Sequence, residues 1–159
     1  MFILIDSREH KNKITGIKKA FARSGVDFDV CKLYVGDYMD FANPSVIIDR
    51  KQHVDELAKN CTAEQTRFRN ELERVKRCGA EMVILVEQDT VKTHRGTFPL
   101  RSLDDLILWE SQYSEVSGER VYRILSAWVH KYPVTVEFCN KRDTGRRILE
   151  ILGGGRNER

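Results

Sequence analysis

Apolar positions along this chain come in two kinds of short run, and the kind sets the element each predicts. Phe2–Ile5 is an unbroken apolar run that stops at Asp6, as a buried strand would. Ile14, Ile17, Ala20 and Phe21 then recur at helical spacing over residues 12–24 and give way to Ser24-Gly25, a helix stop. From Asp27 to Leu33 apolar and polar side chains alternate, and further strand-like segments follow at Tyr38–Phe41, past Gly36, and at Ser45–Asp49, past Asn43-Pro44. The short connections between these three segments predict an antiparallel meander.

Helical spacing returns with Val54, Leu57 and Ala58, and again with Phe68, Leu72 and Val75 over residues 62–77, closed by Cys78-Gly79. Met82–Val86 is continuously apolar between Glu81 and Glu87, the pattern of a strand buried on both faces. Residues 89–100 read as a loop exposing Lys92, His94 and Arg95. Leu103, Leu106 and Ile107, then Val121, Ile124, Leu125, Trp128 and Val129, predict two amphipathic helices. Val134–Phe138 is a last strand and Thr144–Leu152 a last helix. A β-rich start followed by alternation predicts a three-layer α/β/α domain around a mixed central sheet over residues 1–152, with 153–159 as a flexible tail.

Composition narrows the function classes. A chain of 159 residues that is 41% hydrophobic supports one core, and a net charge of only +3 excludes a polycationic nucleic-acid coat. The cations are nevertheless grouped: Lys11, Lys13, Lys18, Lys19 and Arg23 fall in one segment, and Arg67, Arg69, Arg74, Lys76 and Arg77 in another. Cys31, Cys61, Cys78 and Cys139 form no C-x-x-C pair and have no histidine at zinc spacing. No run approaches the roughly 20 apolar residues a bilayer span needs, and no basic leader precedes Asp6. The expectation is an intracellular protein without a membrane partner, cytoplasmic or at the nucleoid in a microbe or virus.

Three strand ends carry an acid: Asp6, Asp37 and Asp49. Strand ends aligned on one sheet edge bring distant residues into one cleft. Two carboxylates held close repel and raise one another's pKa unless a divalent cation sits between them, and a hard oxygen site with few protein ligands suits Mg²⁺ or Mn²⁺. Lys51 faces the same way as Asp49, because side chains repeat every second residue along a strand. An ammonium and a metal aimed at one phosphodiester serve its hydrolysis. Taken alone, D-x-K is more often the mark of a salt bridge at a sheet rim, since so short a pattern is common.

The surrounding residues add to that pattern. Gly36-Asp37, eleven residues, Asp49-Arg50-Lys51 and Asp55 together resemble the G-D-x(n)-E-R-K-x-x-x-D signature of the XPF-type structure-specific endonucleases, which include the archaeal Hef protein and the eukaryotic Mus nucleases. Asp6-Ser7-Arg8-Glu9 resembles the family's D-x-R-E element, and Arg67–Gly79 with Val83–Glu87 resembles the helix and buried strand that follow. The likeness is dense from about residue 3 to residue 88 and compatible beyond.

The resemblance implies a restriction-endonuclease-like (PD-(D/E)xK) fold and a divalent-metal-dependent endonuclease acting on branched, flapped or forked DNA in repair or recombination. It implies Asp37, Asp49 and the main-chain carbonyl of Arg50 as ligands of Mg²⁺ or Mn²⁺, Lys51 as the charge-stabilising cation, and Asp6 and Glu9 as further members of the acidic cluster. Arg8 and Arg67 are expected on DNA phosphates, Arg50 in a structural ion pair with Asp55, and His10 and His53 as solvated neighbours. A homodimer is implied, with the Trp128 stripe as one candidate face and ordinary core as its alternative. Asp49 stands where the family usually has Glu, which draws the metal about one methylene nearer the strand. The helix-hairpin-helix module common in the family finds no place among these residues, which leaves the branched-DNA preference open and makes a separate DNA-binding partner one way to supply it. The competing readings are an inactive DNA-binding scaffold of the same fold and a Holliday-junction or restriction-type nuclease sharing only the D…DxK core.

Overall fold

The computed structural model describes residues 1–154. Its centre is a six-stranded sheet of order β2-β1-β3-β4-β5-β8. The strands are β1 (Phe2–Asp6), β2 (Asp27–Cys31), β3 (Tyr38–Asp40), β4 (Asn43–Lys51), β5 (Glu81–Val86) and β8 (Val134–Phe138). A hairpin of β6 (Thr90–Thr93) and β7 (Gly96–Pro99) forms a separate two-stranded sheet. The helices are α1 (Thr15–Arg23), α2 (Val54–Cys61), α3 (Gln65–Arg77), α4 (Gly118–Lys131) and α5 (Thr144–Leu152).

Only β3 runs against its neighbours; β2 on β1, β4 on β5 and β5 on β8 are parallel pairs. The C-terminal ends of β1, β4 and β5 therefore lie on the same edge as the start of β3. The expected meander is corrected in one part: β3 and β4 do pair antiparallel, but β2 crosses over through α1 to lie parallel on the outside of β1. Its half-polar pattern, with Asp27 and Asp29 exposed, marks an edge strand and leaves its partner open.

Helices cover both faces, as three layers require. Ile47, Ile84, Val86, Val134 and Val136 pack with Leu57, Phe68, Leu72, Val121 and Leu125 of α2, α3 and α4. On the other face Ile3, Ile5, Ile48, Val83 and Leu85 pack with Ile17 and Phe21 of α1 and Ile148 and Ile151 of α5. Residues 89–100, read as a loop, form the β6/β7 hairpin, in which Val91 alone is fully buried and so gives little periodic signal. The amphipathic helix expected at Leu103–Ile107 is a single 3-10 segment, Leu103–Leu108, opened by a Ser102/Asp105 capping box. Val121, Leu125 and Trp128 are buried in the chain's own core, with Trp128 5.5 Å from Phe68 between ring centroids, so this stripe is core. Of the expected tail, Gly153 and Gly154 close α5 by hydrogen bonds to Leu149 and Ile151, and 155–159 lie outside the described residues. Among the described residues no helix is long and apolar enough to cross a membrane.

Candidate active site

The sheet edge just defined gathers the acids through backbone geometry. Gly36 adopts φ +69°, and a Cβ there would lie 2.3 Å from Ile47 Cγ2 and 3.1 Å from the Ile48 carbonyl oxygen. Only a residue without a side chain lets the segment before β3 press this closely on β4. Asp37 follows at once: its N–H donates to Ile48 O at 2.8 Å, and its Oδ2 accepts the Arg50 N–H at 2.7 Å. The carbonyl of Asp37 accepts the Asp6 N–H at 2.8 Å, tying β1's end to the same edge.

Alternation along β4 separates its last residues as the sequence requires. Asp49 and Lys51 share the face of α2 and α3, both buried, and Lys51 Nζ lies 2.7 Å from Asp49 Oδ2 and 5.3 Å from the Phe68 ring centroid. Burial drives the Asp49 carboxyl upward in pKa, the charges of Glu71 and Glu56 add to this, and Lys51 opposes it. Burial also drives Asp37 well above the usual carboxylate range, helped by the charges of Asp49 and then Glu9 and opposed by Lys51 and the Arg50 N–H. For Lys51 burial acts downward, but Asp49, Asp37 and Glu56 outweigh it and its pKa rises.

Arg50 points to the opposite face. Its Nε meets Glu9 Oε2 at 2.7 Å, its Nη1 meets Glu87 Oε2 at 3.0 Å, and the Tyr38 hydroxyl donates to Glu9 Oε2 at 2.7 Å. The expected Arg50–Asp55 pair is corrected: Asp55 lies in the first turn of α2 and accepts the Ser111 hydroxyl, out of line with Arg50. Because Lys51's carbonyl accepts from the Glu87 N–H just past β5, Arg50's own carbonyl turns to the β3 side, where Asp37 sits.

The remaining expected site residues are placed as follows. Asp6 is buried and already engaged, its Oδ1 by the Leu33 N–H at 3.0 Å and its Oδ2 by Arg8 Nε. Glu9 is the upstream acid among the leading charges that raise Asp37. Arg8 and Arg67 both present exposed guanidinium groups, Arg67 leaning on Glu64 and Glu71. His53 caps α2, its Nδ1 accepting the Glu56 N–H at 3.2 Å. Sequence reasoning missed Glu56, Glu71 and Glu87 as neighbours of the site. Glu71 Oε1 also accepts the Gly36 N–H at 3.2 Å. Its place in the Arg67–Gly79 helix segment was the available signal.

The donor set suits a hard divalent cation. Asp49 Oδ2 is buried without a well-formed hydrogen bond, its contact with Lys51 being an ion pair, and the half-buried Asp37 offers a second carboxylate whose raised pKa a cation would reverse. Among the described residues no three His, Cys, Asp or Glu side chains form a ready cage. Main-chain oxygen and water therefore have to complete any shell around Asp37 and Asp49.

A mixed sheet that gathers Asp37, Asp49 and Lys51 on the edge where β1, β4 and β5 end and β3 begins defines a three-layer α/β domain with an acidic site at one sheet edge. The sequence matches the ERCC4 domain over residues 5–150, and the chain belongs to that family. The fold is similar to XPF from Aeropyrum pernix at a TM-score of 0.66 and 18% identity, over 96% of this chain and 63% of that one. It is similar to XPF from the same organism in complex with DNA at 0.61 and 17%, over 99% and 68%. This chain thus spans about 63% of the length of the first of these XPF structures. No curated protein matches the sequence.

Proposed function

We propose that this chain is a divalent-metal-dependent endonuclease that hydrolyses phosphodiester bonds near branches, flaps or forks in duplex DNA, in repair or recombination. The observation that carries the reading is the convergence of Asp37, from the start of a reversed strand, on Asp49 and Lys51, from the end of its neighbour. The XPF structure that carries DNA supports a DNA substrate for this family member.

In this reading Asp37 and Asp49, with the Arg50 carbonyl, hold Mg²⁺ or Mn²⁺. When bound, the ion polarises the phosphodiester and lowers the pKa of a water. The chain's own residues do the rest. The Arg50 N–H fixes the Asp37 carboxylate, while Glu9, Glu87 and Tyr38 lock Arg50. Lys51, held over Phe68, keeps its proton and offers positive charge to the phosphate oxygens. Arg8 and Arg67, exposed beside the edge, meet flanking phosphates with planar forks. Asp6 keeps Arg8 and the segment after β2 in place.

The homodimer remains part of the proposal. With the Trp128 stripe spent in the core, the exposed Ile107 and Leu108 offer the apolar surface for it.

The test incubates labelled flap, fork, four-way junction and plain duplex DNA with Mg²⁺, Mn²⁺ or chelator. Cutting of the branched forms is expected only with metal, and Asp37→Ala, Asp49→Ala and Lys51→Ala are each expected to abolish it while binding persists. Retained cutting by Asp37→Ala overturns the assignment, and binding without cutting by the parent favours a scaffold.

A further inference from the structure

The cationic segment 11–23 is not used by the site described above. Lys13, Lys19 and Arg23 join Lys141 and Arg142 around a cavity of about 840 Å³ between α1 and the turn that opens α5. Gly16, Lys19 and Arg23 stand at i, i+3 and i+7, so α1 presents them on one face. A Cβ at Gly16 would meet nothing within 4 Å, which leaves that side of the cavity open. Gly145 sets the spacing of the two banks: a Cβ there would come within 2.5 Å of Ala20 Cβ, so α5 lies hard against α1.

What sets these five cations apart is that they converge on one cavity; several arginines elsewhere are neutralised by an acid on their own helix. Arg67 is answered by Glu64, Arg146 by Glu150, and Arg123 by Glu119. Among the described residues none of the five cavity cations forms an ion pair with an acid. Lys13 donates to the neutral amide of Gln52 at 2.9 Å, and Glu87, the acid in the cavity wall, is engaged by Arg50. Like charges one helical turn apart repel, and five around one opening do so without an internal counter-charge. A polyanion supplies what the fold withholds.

Position selects the polyanion. Lys13 and Gln52 also line a second cavity of about 500 Å³, together with His53, Glu56 and Lys59. Gln52 is the residue after Lys51, and Glu56 is a charged neighbour of the Asp49–Lys51 pair. The two cavities thus share Lys13 and Gln52 as walls, just past the end of β4 that carries Asp49 and Lys51. We infer that the cavity ringed by Lys13, Lys19, Arg23, Lys141 and Arg142 seats the phosphate backbone of a second DNA segment, the strand or arm beyond the one cut. The identity of the polyanion rests on the nuclease reading; the cavity's demand for phosphate does not.

The test measures binding and cleavage separately. Asp49→Asn protein is titrated against labelled fork DNA by fluorescence anisotropy over a range of salt, alone and with Lys19→Ala, Arg23→Ala and Arg142→Ala combined. The triple variant is expected to bind roughly tenfold more weakly, with the slope of log affinity on log salt reduced by about 0.9 for each phosphate contact removed. Arg120→Ala, Arg123→Ala and Lys131→Ala combined, on α4, are expected to leave both quantities unchanged. Thermal melts confirm that each variant folds. The inference is overturned if the cavity variant binds like its parent, if the α4 variant loses as much, or if a nucleoside triphosphate displaces the fork as effectively as unlabelled DNA does. Cleavage is followed in the wild-type chain with Mg²⁺: cavity-dependent binding with a wild-type chain that never cuts would sink the nuclease reading and leave phosphate binding at the cavity standing, whereas wild-type cutting with cavity-independent binding would do the reverse.

Discussion

The ammonium of Lys51 rests 2.7 Å from Asp49 Oδ2, with both side chains buried. Removing one partner of such a pair leaves the other charge stranded, which typically costs about 3–5 kcal/mol. Lys51→Ala is therefore expected to lower stability by about that amount in chemical denaturation, and Lys51→Met combined with Asp49→Asn to recover most of it. A loss no larger than that of an exposed pair, about 0–1 kcal/mol, would show that the two groups are solvated.

Stability should depend on pH through Asp37. Its carboxyl pKa is raised in the folded chain, so folding binds protons there. The contribution is fully present below the unfolded carboxylate value and is lost as pH rises through the folded one. In chelator, Asp37→Asn is expected to melt higher than the parent at pH 8, with the gap closing under acid conditions. Mg²⁺ should raise the melting temperature of the parent and not of the variant. A parent that melts higher than Asp37→Asn in chelator at pH 8 would contradict the direction.

Gly36→Ala tests the close approach that delivers Asp37. The new methyl would sit 2.3 Å from Ile47 Cγ2 in a left-handed backbone. Overpacking costs about 1–3 kcal/mol and the left-handed conformation roughly 1–2 kcal/mol. A combined loss in that range is expected on denaturation, with cleavage reduced further than the folded fraction explains.

Glu71→Gln keeps an oxygen for the Gly36 N–H and removes a charge that raises Asp49. The Asp49 carboxyl then ionises at lower pH, and the acid limb of the cleavage pH profile is expected to move the same way. An unmoved limb would remove Glu71 from the electrostatics of the site.

Much of this arrangement is legible from residue order. The runs ending in Asp6, Asp49 and Glu87 announce strand ends, and the two-residue period alone separates Asp49 and Lys51 from Arg50. What stays hidden depends on how elements dock. Nothing in Asp27–Cys31 says that it pairs with β1 and not β3. Glu56 and Glu71 become neighbours of Asp49 only once the rotation of α2 and α3 over the sheet is known. Likewise Asp55 is close in sequence to Arg50, but the turn into α2 carries it away, and Glu9 and Glu87 reach Arg50 across long separations. Asp6 sits on the anticipated edge with a carboxylate turned to Leu33 and Arg8, a choice of direction that spacing does not encode.

The reversed course of β3 has a practical corollary. Its beginning feeds the chemistry, so the bend that joins it to β4, with Phe41 and Ala42 both exposed, falls at the far end of the sheet. A fluorophore or immobilisation handle attached at Ala42 would report on substrate capture from a distance and leave the cutting edge clear.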